Sequence, residues 1–113
     1  MTKQYYDINV YEAAKSRIRL IFEHFEQICV AFSGGKDSSV TLHLALEVAR
    51  EMGRLPIHAL FVDLEGQYRT TIEHVTEMFN RDDIRPWWIC LPINLRNASS
   101  VHEPFWCAWE PGR

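Results

Sequence analysis

The spacing of apolar and polar positions divides the chain into alternating helices and strands. Residues 9–25 place Ala14, Ile18, Ile21 and Phe25 at helical intervals, and Asn9 stands three residues before Glu12 as in a capping box. An amphipathic helix is expected there, with Arg17, Arg19 and Glu23 in solvent. Residues 27–32 are apolar without alternation, as in a parallel strand buried on both faces. From about Ser38 to Met52, Val40, Leu44, Val48 and Met52 recur every four residues, with Arg50 in the last turn and Gly53 at the C′ position. Pro56 then stops helix continuation, and residues 57–63 read as a second strand. Tyr68, Ile72, Val75 and Phe79 predict a third helix over 68–80, followed by a polar turn at Arg81-Asp82-Asp83. A third strand is expected over 87–93, with Pro86 and Pro92 near its ends. Beyond Asn94 the periodicity fades into a polar loop and an aromatic group, Phe105, Trp106 and Trp109.

This order implies βαβ units with right-handed crossovers, hence an α/β fold built on a parallel, Rossmann-like sheet in three layers. A sheet of three strands is small and would carry an exposed edge. Composition narrows the function classes. A chain of 113 residues, 47% hydrophobic and 24% charged, suits one globular domain. Its net charge of −3 argues against a bulk electrostatic grip on nucleic acid or on an anionic membrane. No apolar run is long enough to span a bilayer, and Met1–Asp7 lacks the apolar core of a secretion signal. The three cysteines, Cys29, Cys90 and Cys107, are scattered without a Cys-x-x-Cys pair, so reduced thiols in a cytoplasmic setting are expected. Cys29 and Cys90, in apolar runs, are expected in the core, as are Trp87 and Trp88.

The candidate chemistry lies where the first strand meets the second helix, at Ser33-Gly34-Gly35-Lys36-Asp37-Ser38-Ser39. Gly34 and Gly35 let the backbone turn sharply and approach a bound group. The N–H groups at the helix start carry roughly half a positive charge, which favours an anion. Lys36 adds a mobile cation and Ser33, Ser38 and Ser39 add hydroxyl donors, so the stretch is suited to phosphate. Asp37 reads either as a hard oxygen ligand for Mg²⁺ beside a polyphosphate or as the helix N-cap. Lys36 and Asp37 are the candidates for a direct part in catalysis. At the end of the second strand, Asp63 would hold Mg²⁺ or a ribose hydroxyl, and Glu65 is a further candidate; alternatively both begin a helix. The five histidines show no metal spacing, and His24, His58, His74 and His102 read as structural or surface residues. His43 lies one turn into the loop helix and reads either as reaching a phosphate or, the better account, as a solvated or core-edge residue.

Ser-Gly-Gly-Lys-Asp-Ser resembles the PP-loop of N-type ATP pyrophosphatases and of phosphoadenosine phosphosulfate (PAPS) reductases, and matches neither a Walker A loop nor a dinucleotide fingerprint. Phe61 to Tyr68, and the stretch from Pro104 to Pro111, resemble a PAPS-reductase-like subgroup that includes immunoglobulin-binding regulator A and whose members are several times longer. The resemblance implies an adenine nucleotide alpha hydrolase-like fold, incomplete in this chain. It implies that residues 1–93 are the N-terminal part of a PP-loop nucleotide-binding domain, and that 94–113 form a loop leading into a further C-terminal part. A complete small domain that covers its edge by self-association, or with a partner protein, is the alternative.

By the same resemblance, Ser33 to Ser39 hold the phosphosulfate or pyrophosphate of an adenine nucleotide, PAPS or ATP. Ala31, Phe32, Val62 and Asp63 then lie near the adenosine. PAPS reductases attack sulfur with a cysteine in a C-terminal motif; Cys107, in Trp-Cys-Ala-Trp, does not match it. The segment after the second strand departs from the reductase pattern too. Three functions remain open: sulfur transfer from a sulfonucleotide, adenylation with pyrophosphate release, and non-catalytic nucleotide sensing. Phe105, Trp106 and Trp109 would cap a purine or pack against further chain.

Overall fold

The computed structural model describes residues 8–96 and 101–112; Met1–Asp7, read above as lacking a secretion-signal core, lie outside the described residues. The elements run α1 (Val10–His24), β1 (Cys29–Ala31), α2 (Lys36–Glu51), β2 (Ile57–Val62), α3 (Arg69–Phe79), β3 (Ile84–Ile89), β4 (Ile93–Arg96) and β5 (Phe105–Ala108). β1, β2 and β3 form a parallel sheet in that spatial order, so each crossover steps the same way. Right-handed connections then put α2 and α3 on one face of the sheet. This is an incomplete Rossmann-like α/β fold.

One core fills the helix-covered face. Ile57, Ala59 and Phe61 of β2 meet Leu42, Leu46, Val48 and Ala49 of α2, and Val75, Met78 and Phe79 of α3. Among the described residues no helix covers the other face, so the expected two-sided burial fails there. Cys29 and Ala31 are exposed, as is Cys90, and Trp87 keeps 53% of its surface. The apolar run of β1 was therefore a poor guide to depth, because burial of the second face needs a layer that these elements do not supply.

Helix ends follow local rules better than helix faces. Asn9 caps α1 through its side-chain oxygen, which accepts from the Glu12 N–H at 2.8 Å. Gly53, at φ 67°, closes α2 in a Schellman arrangement: its N–H donates to the Arg50 carbonyl and the Arg54 N–H to that of Ala49. The buried face of α1, however, runs through Lys15, Ile18 and Phe22, while Ile21 and Phe25 are exposed. The helix is turned by its partner: Lys15 pairs with Glu51 at 2.6 Å and Glu47 at 3.3 Å on α2, and Arg19 also reaches Glu51. Val40 and Tyr68 likewise point outward.

β3 begins at Ile84, before the expected residue 87, because its register with β2 starts at Ile57↔Ile84. Pro86 sits inside it, which an edge strand tolerates. Residues 94–113, expected as a loop, carry most of an antiparallel ribbon, β4 with β5. Its two strands are four residues each, too short for periodicity to register.

The α1–α2 contact has a pH signature. Glu47 is held below the usual carboxylate range chiefly by the Tyr11 hydroxyl, and Glu51 chiefly by Lys15, whose own pKa Glu51 raises. A carboxyl depressed in the folded state contributes stability above its unfolded pKa and loses it as pH falls through the folded value. With an unfolded value of about 4.3, the loss should fall below roughly pH 5. Lys15→Met should shrink the drop in Tm on acidification through that window; an unchanged drop would refute the account.

Candidate functional site

The loop between β1 and α2 lies at the carboxyl edge of the parallel sheet, where ligands of open α/β folds bind. Its two glycines do different work. Gly34 takes φ 83°, and a Cβ there would stand 2.8 Å from Thr71 Cγ2 and 2.9 Å from Val75 Cγ2 of α3. Only glycine meets both constraints. Gly35 is extended, at φ −82°, and a Cβ on it would meet only Ser33 Oγ, at 3.5 Å. It forms the N-cap of α2 with no side-chain cap.

The helix thus opens at Lys36, not Ser38, because the Gly35 backbone supplies the cap conformation. Asp37 is consequently inside the first turn, which removes the N-cap reading. Lys36 and Asp37 are both exposed. The first N–H groups of α2 have no partner within the helix, and they face the loop side.

The serines brace one another. Ser33 Oγ and Ser38 Oγ are 2.9 Å apart, and the Ser33 N–H donates to Ser38 Oγ at 3.2 Å. The Gly35 carbonyl accepts from the Ser39 N–H at 3.0 Å and from the Ser39 and Ser38 hydroxyls at 2.7 and 3.2 Å. Ser39 Oγ also lies 2.9 Å from His74 Nε2 of α3. His74, expected as a structural or surface residue, thus neighbours the candidate loop. Its ring meets Phe32 edge-on at 5.7 Å between centroids. Thr71, His74, Val75 and Met78 share one helical face, a spacing that would have pointed His74 toward the loop.

Beside the loop opens a cavity of about 300 Å³, lined by Ala31, Ser33, Ser38, Val62, Leu64 and Gln67 among others. Ala31 and Val62, expected near an adenosine, do line it, and Ala31 and Val62 are exposed. Phe32 reaches it only at the margin: 2% of its surface is exposed and its ring packs on His74 and Phe79.

The corner after β2 is held from several sides. Asp63, 6% exposed, accepts from the Glu65 N–H at 2.8 Å and from Trp88 Nε1–H at 3.0 Å, one carboxylate oxygen to each. Its carbonyl accepts from Trp109 Nε1–H at 2.6 Å. Glu65 adopts φ 69° and its carboxylate accepts from the Trp109 N–H, at a residue that is itself left-handed at φ 54°. Trp106 lies over Gly66, its Cη2 3.6 Å from where a Cβ would stand. Trp106 and Trp109 thus pack on the chain's own corner, whereas Phe105 is exposed. The Asp63 carboxylate shapes this corner from within.

Among the described residues no cluster of three or more His, Cys, Asp or Glu forms a metal site. None of the described helices is long and apolar enough to cross a membrane.

The phosphoadenosine phosphosulfate reductase domain model matches residues 27–92, more than half of the chain. The chain belongs to this family. The protein YbdN of Escherichia coli K12, described as uncharacterized, is 40% identical over 107 residues, 92% of this chain and 26% of that protein. Sulfate adenylyltransferase subunit 2 of Mycobacterium bovis BCG is 52% identical over 68 residues, 60% of this chain and 22% of that subunit. The corresponding subunit of Mycolicibacterium vanbaalenii is 37% identical over the same length. This member of the PAPS reductase family thus spans about a quarter of the length of these relatives. No solved structure matches it.

The glycine geometry separates two substitutions. Gly34→Ala should cost about 1–3 kcal/mol from the left-handed backbone, with the α3 clash added. Gly35→Ala should stay within about 1 kcal/mol, since its φ and space admit a Cβ. Urea denaturation of both variants checks this, and equal losses would contradict the division of roles.

Proposed function

We propose that this chain is the adenine-nucleotide-binding part of a PAPS reductase-like protein that acts on sulfonucleotides. The phosphosulfate or pyrophosphate sits on residues 33–39, with Ala31 and Val62 on the adenosine side. The observation that carries the reading is the loop itself. A left-handed Gly34 pressed on α3 delivers the N-terminus of α2, with Lys36 beside it, to the mouth of an open cavity at the sheet's carboxyl edge. Oriented N–H donors and a cation at that place suit a dianionic group. Membership in the PAPS reductase family and relatives named sulfate adenylyltransferase subunit 2 favour an adenylyl sulfate as the ligand class.

A second reading is adenylation of an acceptor by ATP, with Asp37 helping to hold Mg²⁺ and the loop donors stabilising charge on departing pyrophosphate. Partial desolvation raises the pKa of Cys29, and desolvation with the Asp63 carboxylate raises that of Cys90. An attacking cysteine needs the opposite, a lowered pKa. Cys29 and Cys90 are therefore poor nucleophiles for sulfur chemistry on this site.

Calorimetric titration with adenosine 3′,5′-bisphosphate and, separately, with ATP and Mg²⁺ distinguishes the readings. Lys36→Ala should weaken the preferred ligand about tenfold or more, equivalent to about 1.4 kcal/mol. Preference for the bisphosphate supports the sulfonucleotide reading, and preference for ATP the adenylation reading. Binding unaffected by Lys36→Ala would refute both.

A further inference from the structure

We propose that His74 is a positioning residue of the phosphate loop: its Nε2–H holds the Ser39 hydroxyl over the Gly35 carbonyl. The inference rests on the reading that residues 33–39 hold a phosphate group. Proton counting sets the direction of the bond. The Ser39 hydroxyl has one hydrogen, and the Gly35 carbonyl, 2.7 Å away, can only accept it. The contact at 2.9 Å between Ser39 Oγ and His74 Nε2 must then run from the ring to the hydroxyl. His74 then carries its proton on Nε2, and the hydrogen bonds run from His74 to Ser39 and from Ser39 to the Gly35 carbonyl.

The chain has a purpose that the loop makes plain. A carbonyl at the mouth of an anion site repels the ligand, whereas N–H groups attract it. The Gly35 carbonyl is drawn down the helix axis by the Ser39 N–H and by the Ser38 and Ser39 hydroxyls. Ser39 has other staggered rotamers, in which its hydroxyl leaves that carbonyl. His74 selects the one seen, and its own ring is fixed by the edge contact with Phe32. The same helix presses Thr71 and Val75 on Gly34, so α3 sets both the turn and the donor pattern of the loop. Ser39 therefore acts by shaping the site, its hydrogen being used within the loop.

The test uses the full chain and inorganic pyrophosphate as the probe, with adenosine as the control. His74→Leu should weaken pyrophosphate about three- to tenfold, the range of one lost neutral hydrogen bond, and leave adenosine unchanged. His74→Gln, which keeps an N–H donor, should restore most of the loss. The Ser39→Ala/His74→Leu double variant should bind pyrophosphate no worse than the weaker single variant, because one interaction is removed twice. Nitrogen-15 NMR of the ring should show the Nε2–H form. A ring protonated on Nδ1 alone, or fully additive losses in the double variant, would overturn the inference. If His74→Leu binds pyrophosphate as the wild type does, this inference fails while the phosphate reading stands. If the wild type does not bind pyrophosphate, the phosphate reading fails and the role of His74 falls with it.

Discussion

The structure depends on the contact between Gly34 and α3. A residue in the left-handed region, with Thr71 and Val75 methyl groups where its Cβ would be, lets β1 end, the chain reverse and α2 start within four residues. Without it the loop would lift off α3, and the N-terminus of α2 would no longer point across the carboxyl edge of the sheet. The packing that stabilises the fold and the geometry that would bind an anion are therefore one contact. Conformational strain is small where glycine is used, since it populates this region freely.

A second strained corner flanks the same edge. Glu65 and Trp109, both left-handed without being glycine, are joined by a hydrogen bond, and Trp109 reaches past Glu65 to the Asp63 carbonyl. Such conformations cost of order 1–3 kcal/mol each and persist where their surroundings over-determine them. Here the surroundings are the β4–β5 ribbon, Trp88 and the buried Asp63 carboxylate. The ribbon, although it belongs to a separate sheet, thus braces the corner beside the candidate site.

Charge is arranged to match. The acidic side chains Glu47 and Glu51 are spent on Lys15 and Arg19 at the far end of α2, and Asp83 on Arg81 and Arg50. The loop end of α2 keeps Lys36 and Asp37 exposed, alongside the positive end of the helix dipole. A protein with net negative charge can in this way offer a local anion site.

Much of this was legible in the residues alone. The apolar run, the glycine pair and the following helix period located the loop, because a strand-to-helix turn with φ above zero is a local demand. The Asn9 cap and the Gly53 stop were readable for the same reason. Exposure of Cys29, Trp87 and Val40 was not, since depth depends on which neighbouring layers exist. The rotated face of α1 came from ion pairs with α2, two residues distant by more than thirty positions in sequence. His74 likewise met Ser39 only across thirty-five positions, through the docking of α3. Local backbone chemistry determined the elements and the loop; long-range packing decided which side chains surround it, because only packing brings distant residues within hydrogen-bond reach.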